Sequence, residues 1–210
     1  FPIKTLIIPH FGDLVFSELM VKPTPEVGLP PYEYMEIYNR SDKNIHLKNV
    51  QLGYGDKRFA LPDSIIYAHE YVVLCAEKAY VEMSQLARCV VVRSFPALAN
   101  EGKLLTLYNQ EEEIVSWAEY SSSWYSDSFR SEGGWSLECI DLDNFKEIND
   151  TYGHIVGDKT LQIFAEVLKT NSREDDIICR LAGDEFVTFY PELTSREIAA
   201  KKAAKEAKLK

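Results

Sequence analysis

The residues most suited to chemistry stand in two short segments of the C-terminal third of the chain. In the first, a predicted strand ends in Asp141, a predicted helix begins near Phe145, and polar side chains recur at Lys146, Asn149 and Asp158. A carboxylate at a strand end can bind Mg²⁺, and the free N–H groups of a helix N-terminus can receive an anion. The segment therefore predicts a site for a metal ion and a phosphate.

A second segment supplies further acidic side chains. Ile177–Leu181 and Phe186–Tyr190 have the composition of two strands, and the tight connection between them presents Asp184 and Glu185. Mg²⁺ takes hard oxygen ligands in near-octahedral geometry, so acids from two adjacent strands would suit it together with nucleotide phosphates. We therefore expect Asp141 to converge with these two acids on one divalent ion. The alternative is that such acids only cap and solvate short elements.

The elements around these segments are predicted to be mixed α/β over residues 141–210. Asp158 is placed to cap a helix whose apolar residues recur at the i, i+3, i+4, i+7 spacing, namely Leu161, Phe164, Ala165 and Leu168. Thr194 followed by Glu197 offers a capping box for a final helix, Ser195–Lys208, with a lysine-rich, solvated face. Helices and a hairpin would thus hold the acidic segments.

Residues 13–140 are predicted to form strands. Short β-branched or aromatic runs alternate with turns rich in Pro, Gly or Asx, and the prolines leave no 3.6-residue apolar period. Several short strands at this spacing predict an all-β sandwich. The predicted strands are Leu14–Met20, Tyr34–Tyr38, Ile45–Leu52, Tyr71–Cys75, Cys89–Val92, Leu104–Tyr108, Ile114–Tyr120 and Trp135–Ile140.

The composition limits the class of protein. With 46% hydrophobic residues among 210, the chain can bury a core, and a change in composition near residue 140 predicts two parts, 1–138 and 139–210. A net charge of −10 excludes a broadly basic surface for a nucleic-acid duplex. No run reaches the ~18 apolar residues of a membrane span, and Phe1 to His10 is too short for a signal peptide.

The polar and sulfur-containing residues of the first part offer no reaction chemistry. Glu18 and Glu36 could face each other across two strands, but acids at strand starts are usually solvated, and we interpret them so. The cysteines stand singly in apolar runs without zinc-site spacing, which favours burial as small hydrophobes over a Cys75–Cys89 disulfide in an oxidising compartment. They are Cys75, Cys89, Cys139 and Cys179.

The first part resembles the lamin tail domain of bacteria. The resemblance implies an immunoglobulin-like β-sandwich that serves as an interaction or attachment module, often in surface or secreted proteins. Its order and spacing cover nearly all of residues 13–140. The segments that carry it are Leu14–Met20, Tyr34–Asn39, Ile45–Leu52, Leu61-Pro62, Tyr71–Leu74, Leu98–Leu105 and Gly133–Glu138.

The second part resembles the GGDEF domain of diguanylate cyclases, which condense two GTP into cyclic dimeric GMP. The segment Ile140–Asp158 matches the first motif of that family almost throughout, and the signature hairpin reads Ala182-Gly-Asp-Glu-Phe186. Alanine stands at position 182 where the family usually has glycine, a mild departure. The similarity covers about residues 138–200, without the opening helix and the later strands, so it implies an incomplete α/β domain.

This second resemblance implies a role for each matched residue. Asp141 and the backbone carbonyl of Leu142 would bind Mg²⁺, and Phe145 and Lys146 would contact phosphates. The catalytic pair, which would also bind the metal, is Asp184 and Glu185. An amide and a carboxylate suit the edge of guanine, and the family's guanine-reading pair corresponds to Asn149 and Asp158. Arg173 and Asp176 stand where the family's product-inhibition site occurs, although an exposed ion pair explains them equally well.

Both resemblances claim Trp135–Asp141. The sandwich needs this segment as a late strand, and the cyclase needs it as the central strand that carries Asp141. We expect that it cannot easily hydrogen-bond in both sheets. The hypothesis is therefore that the strand stays in the sandwich, or leaves it at Cys139, and that the second part packs as an incomplete α/β appendage.

Three functions follow as hypotheses. The first is an interaction module of lamin-tail type fused to a GGDEF-like segment with weak or no catalysis, whose partner is a protein or a surface. The second is a diguanylate cyclase, a nucleotidyltransferase that would need Mg²⁺ and GTP and would work as a homodimer. The third is a receptor for cyclic dimeric GMP that uses Arg173 and Asp176. A cytoplasmic location would accompany GTP chemistry, and an exported or surface location would accompany a dominant sandwich.

Overall fold

A computed structural model describes residues 7–26, 28–122, 132–142, 145–170, 177–182 and 184–189. The described part consists mainly of strands up to the one that ends at Asp141, and two helices and a hairpin follow. Its first ten strands are β1 (Leu14–Met20), β2 (Tyr34–Asn39), β3 (Ile45–His46), β4 (Gln51–Tyr54), β5 (Lys57–Ala60), β6 (Ile65–Ile66), β7 (Tyr71–Cys75), β8 (Cys89–Val91), β9 (Gly102–Tyr108) and β10 (Ile114–Ser121). A short helix, α1 (Tyr80–Met83), connects β7 to β8.

The C-terminal elements continue the chain in the order strand, two helices, two strands. They are β11 (Leu137–Asp141), α2 (Phe145–Tyr152), α3 (His154–Thr170), β12 (Ile177–Ala182) and β13 (Glu185–Phe189). The predicted helix start at Phe145 and the predicted hairpin are therefore confirmed. The final predicted helix, Ser195–Lys208, lies outside the described residues.

Three sheets organise the described strands. The largest has the order β12-β13-β11-β1-β2-β7-β8, with β7 and β8 parallel and the other neighbours antiparallel. A four-stranded sheet has the order β10-β9-β4-β5, and β3 pairs with β6 in a small third sheet. All eight strands predicted from the sequence thus contribute residues to these sheets.

The main core lies between the two larger sheets and makes the first part a sandwich. Leu19 of β1 is in register with Met35 of β2, which is in register with Leu74 of β7, and all three are fully buried. Leu52 and Leu107, which are register partners in the four-stranded sheet, belong to the same cluster of buried side chains. Strands β1, β2 and β7 are buried at most positions, and since successive side chains point to opposite faces, both faces of this part of the sheet are covered.

One predicted strand is divided in two. Ile45–Leu52 forms β3, then a 3₁₀ turn over Leu47–Asn49, and then β4. The Val50 N–H donates to the Leu47 carbonyl at 2.8 Å, which closes the turn. Buried apolar residues recur before, within and after the turn, so the sequence pattern does not reveal the change of direction; they are Ile45, Leu47, Val50 and Leu52.

The start of α3 corrects the predicted cap. Asp158 was expected at the N-cap, but the helix begins at His154, so Asp158 lies inside it. Gly153, with φ +82°, ends α2, and the carbonyl of Gly153 accepts the N–H groups of Val156 and Gly157 at 3.1 Å. A glycine in the left-handed region is the usual residue just after a helix, so a tight α2–α3 turn replaces the capped start.

Strand β11 hydrogen-bonds in both parts of the molecule. On one side Leu137 and Glu138 are in register with Leu19 and Glu18 of β1, and on the other side Glu138–Asp141 pairs with β13. The expectation that this strand cannot join both sheets is therefore wrong. A strand has two edges, and here the sandwich uses one edge while the hairpin uses the other, so a single sheet continues through both parts.

The second part has a smaller core. Phe145 of α2, three residues of α3 and Phe186 of β13 form its buried cluster, and the rings of Phe164 and Phe186 meet edge to face at 5.2 Å. The helical residues Leu161, Phe164 and Leu168 keep 4–9% of their surface exposed. The predicted apolar spacing of this helix is thus confirmed as the face that packs on the sheet.

Two cysteines of the sandwich lie side by side without a disulfide. Cys75 is buried, Cys89 is half-buried, and both are free. They occupy neighbouring strands β7 and β8, and a hydrogen bond from Cys89 lowers the pKa of the Cys75 thiol. The pair packs in a satellite cluster with Met20, Tyr34 and Met83, as small apolar side chains do.

Candidate functional site

Two strands bring the predicted catalytic and metal-binding acids to one place. In the β11–β13 pair, Asp141 is directly opposite Glu185. Directly opposite residues of an antiparallel pair have Cα atoms about 4.5–5.5 Å apart, close enough for two ligands of one ion. The register supports the predicted convergence of these two residues, while their side chains lie outside those that the structure describes.

The neighbouring residues Leu142 and Asp184 frame this position. Ala182 pairs with Glu185, so the hairpin connection consists of two residues, and Asp184, which is half-buried, precedes Glu185 directly. The Leu142 carbonyl accepts the Phe145 N–H at 3.3 Å where α2 begins. A carbonyl oxygen has two lone pairs, so this hydrogen bond leaves it able to bind a metal ion as well.

The predicted guanine-reading residues come from two helices. Asn149 lies on α2 and is half-buried, and Asp158 lies on α3 and is exposed. A Cβ built on Gly157 would stand 2.0 Å from the Asn149 Oδ1 atom, so the amide of Asn149 occupies the space above Gly157. Asp158 follows Gly157 directly in the chain, so its backbone is one residue from this contact.

The residues predicted to contact phosphates have different environments. The Phe145 ring is 9% exposed and packs in the core of the second part, so only its backbone could face a phosphate. Lys146 is exposed beside it in the first turn of α2. Arg173 and Asp176, the predicted product-inhibition pair, lie outside the described residues.

The side chains that the structure describes do not by themselves form a metal centre. Within that part of the chain, no three His, Cys, Asp or Glu side chains come together in a way that could hold a metal ion. The predicted magnesium site requires the side chains of Asp141 and Glu185, and it stays a prediction that the register supports.

A buried polar network beside the shared strand corrects one interpretation. Glu18 and Glu36 were expected to be solvated, but they are register partners with only 7% and 3% of their surface exposed. The Tyr34 hydroxyl donates to Glu18 Oε1 at 2.6 Å, and the Ser17 hydroxyl donates to Glu36 Oε1 at 2.9 Å. Burial and the neighbouring Glu18 raise the pKa of Tyr34 well above its usual value. The sequence allows the prediction that the two acids face each other, but it does not show that other residues bury them.

The register continues from the two acids of this network to the strand that carries the candidate site. Glu138 of β11 is in register with Glu18 of β1, which is in register with Glu36 of β2. Three acidic residues thus follow one another across three strands, three positions before Asp141 in β11. This arrangement was missed because it depends on which strands are neighbours.

Models of two known families match consecutive segments of the chain. The sequence model of the lamin tail domain matches residues 9–122. The model of the diguanylate cyclase GGDEF domain matches residues 120–210. Within the described residues, no helix is long and apolar enough to span a membrane.

Several curated relatives share a short segment with this chain. Diguanylate cyclase DgcP of Pseudomonas aeruginosa is 45% identical over 62 residues, which cover 30% of this chain and 9% of that protein. The response regulator PleD of Caulobacter vibrioides is 51% identical over 57 residues, which cover 27% and 13%. A solved sensory box/GGDEF family protein from Caulobacter crescentus is 34% identical and covers 36% of this chain and 49% of that one, with a TM-score of 0.32. The chain therefore spans a small part of the length of these curated relatives.

Proposed function

Because the chain belongs to the lamin tail domain family and joins that domain to a partial GGDEF domain, we propose that it is an attachment module. In this proposal the sandwich binds a protein or surface partner. The GGDEF part holds GTP with a divalent ion and has weak or no cyclase activity by itself.

One observation carries the proposal. Strand β11 lies between β13 of the GGDEF part and β1 of the sandwich. In a complete cyclase this central strand would have cyclase strands on both sides, and here β1 takes one of those places through Leu19 and Glu18. A site that lacks part of its surrounding sheet loses preorganised groups, and each such donor contributes about 3–4 kcal/mol to the transition state.

The nucleotide half of the proposal is based on the α2–α3 turn and the hairpin. Asn149 and Asp158 would bind the guanine edge, and Lys146 would contact a phosphate. Asp141, Glu185, Asp184 and the Leu142 carbonyl offer only oxygen ligands, which fit Mg²⁺. When bound, such an ion neutralises phosphate charge and polarises the bond to be broken.

A diguanylate cyclase is the second candidate, and one specific observation favours it. The register of Asp141 opposite Glu185 is the arrangement that metal-assisted nucleotidyl transfer needs. In that case Glu185 and Asp184 would assist removal of the proton from the attacking 3′-hydroxyl, and two GTP-loaded copies of the chain would have to meet.

Calorimetric titration of the full chain with GTP, with and without Mg²⁺, tests the nucleotide half. We expect Mg²⁺-dependent binding that Glu185→Gln weakens at least tenfold. The matched control is Glu147→Gln, an exposed acid on α2, which should leave binding unchanged. Absence of GTP binding by the unaltered chain would refute the nucleotide half and leave a lamin-tail module alone.

Chromatography of the same mixture after incubation separates the two candidates. The attachment module should yield no cyclic dimeric GMP beyond the level of Glu185→Gln. Product that depends on Glu185 and rises with the square of protein concentration would instead establish the cyclase, since each turnover would then require two copies.

A further inference from the structure

Residues of helix α2 lie close to helix α3 at Gly157. This residue is buried in the first half of α3, where a side chain would normally project towards α2. An added Cβ would stand 2.0 Å from Asn149 Oδ1, 2.9 Å from Asn149 Cγ and 3.3 Å from Phe145 Cζ. Real Cβ atoms do not approach oxygen or carbon this closely, so any other residue at position 157 would displace the Asn149 amide.

The glycine is costly for the helix itself. Glycine is among the least favourable residues in a helix interior, and alanine is the most favourable. Gly157 lies three residues into α3 and has an ordinary helical backbone, because it is absent from the positive-φ residues of the described chain. Conformational freedom therefore does not explain it, and the space that it leaves for Asn149 does.

The packing of Phe145 keeps helix α2 from moving away from Gly157. Phe145 belongs to the same helix as Asn149, one turn earlier, and its ring is packed against Leu161, Phe164 and Phe186. Since the ring also touches the space above Gly157, α2 cannot shift to relieve a new methyl group without disturbing that cluster. A methyl group at position 157 would therefore be accommodated by rotation of the Asn149 side chain.

We infer that Gly157 is a positioning residue that sets the orientation of the Asn149 amide and thereby the choice of guanine over adenine. The inference rests on the proposed nucleotide site. An amide and a carboxylate at fixed positions match the acceptor and donor groups of guanine, whereas adenine presents an amino group where guanine has its carbonyl oxygen. Rotation of the amide would remove this match without affecting contacts to phosphates.

A double-mutant cycle tests the inference on the full chain. Binding of GTP and of ATP, each with Mg²⁺, is measured for the unaltered chain, Gly157→Ala, Asn149→Ala and the double variant. We expect Gly157→Ala to weaken GTP binding about tenfold, to leave the weak ATP binding unchanged, and to have no further effect once Asn149 is alanine. Lys159→Ala, an exposed neighbour on α3, is the matched control.

A readout without nucleotide examines the same contact. In a ¹⁵N-labelled chain, the side-chain amide signal of Asn149 should shift in Gly157→Ala, while the melting temperature should stay within a few degrees. Asn149→Gln approaches the contact from the other side, because its longer side chain does not fit above Gly157. It should reproduce the loss of GTP selectivity even if Gly157→Ala folds poorly.

The outcomes separate the inference from the proposed function. If the unaltered chain binds no GTP, the proposed nucleotide site is refuted and the inference falls with it. If the unaltered chain prefers GTP, but Gly157→Ala keeps that preference or adds its loss to that of Asn149→Ala, the inference alone is overturned. An unchanged Asn149 amide signal in Gly157→Ala would also overturn it.

Discussion

The core side chains are more completely buried in the sandwich than in the GGDEF part. In the sandwich, side chains from two sheets meet, and residues such as Leu19, Leu52 and Leu74 are fully buried. In the GGDEF part, one face of α3 packs on a short hairpin, and Leu161, Phe164 and Leu168 each remain 4–9% exposed. The candidate site therefore depends on the sandwich for its support, because the strand that carries Asp141 pairs with β1.

The largest effect is expected where the two parts share a residue. Leu137 of β11 is fully buried in the sandwich core beside Leu19. Leu137→Ala should lower the free energy of unfolding by about 4 kcal/mol, because it removes buried methyl groups and leaves a cavity. Urea unfolding followed by circular dichroism measures it, with Leu104→Ala, whose side chain is 41% exposed, as the matched control. A change below that of the control would mean that β11 is not anchored in the sandwich.

A change in the smaller core should stay local. Leu161 of α3 is 4% exposed, and Leu161→Ala should destabilise the GGDEF part by about 2.5 kcal/mol. Hydrogen exchange should then speed up in α2, α3 and β13 while β1, β2 and β7 keep their protection. The control is Ile163→Ala on the same helix, where the side chain is 60% exposed. Equal loss of protection in both parts would show one cooperative unit and contradict the comparison.

The third prediction concerns a buried polar side chain of the sandwich instead of an apolar one. Asn39 is fully buried, and its Nδ2 group donates to the carbonyls of Lys43 and Tyr67 at 2.7 and 2.9 Å. Asn39→Ala should cost about 2 kcal/mol, because the carbonyls lose their donor inside the protein. Thermal unfolding compares it with Asn100→Ala at an exposed turn. No difference between the two variants would show that water replaces the amide.

The smallest predicted effect concerns pH. Partial burial raises the pKa of Glu33, and a hydrogen bond from the Leu98 N–H opposes the rise. The raised pKa means that the folded state binds the proton more tightly than the unfolded state. The stability from this proton is present below the unfolded pKa and is lost as the pH rises through the folded pKa.

Glu33→Gln removes this dependence. Glutamine keeps an oxygen that can accept the Leu98 N–H without carrying a charge. At pH 7 the variant should be more stable by up to ~0.5 kcal/mol, a typical size for a half-exposed position, and the gain should vanish near pH 4. Denaturant titrations at the two pH values measure it. A gain that persists in acid would assign the effect to packing.

Local pattern predicted most strands but not their neighbours. The short β-branched or aromatic runs in Leu14–Met20 and Tyr71–Cys75 predicted these two strands to the residue. The strands that pair with them were not predicted, because the local sequence of a strand does not specify which strand lies beside it. For this reason neither the double pairing of β11 nor the burial of Glu18 was predicted from the sequence.

The candidate site, too, was predicted from the sequence only in part. Asp141, Asn149 and Glu185 were predicted from motif spacing, and the register places Asp141 opposite Glu185. The importance of Gly157 was not visible, since an isolated glycine in a helical pattern has several explanations. Only the position of the Asn149 oxygen distinguishes among them.

Continuity of the sheet through β11 changes how the chain can be taken apart. Proteins that join two domains usually do so through an exposed linker, which a protease or a cloning boundary can cut without harm. Here a cut between Glu138 and Cys139 would sever hydrogen bonds to both neighbours at once. Either fragment produced in isolation would expose an unpaired strand edge and be prone to aggregate.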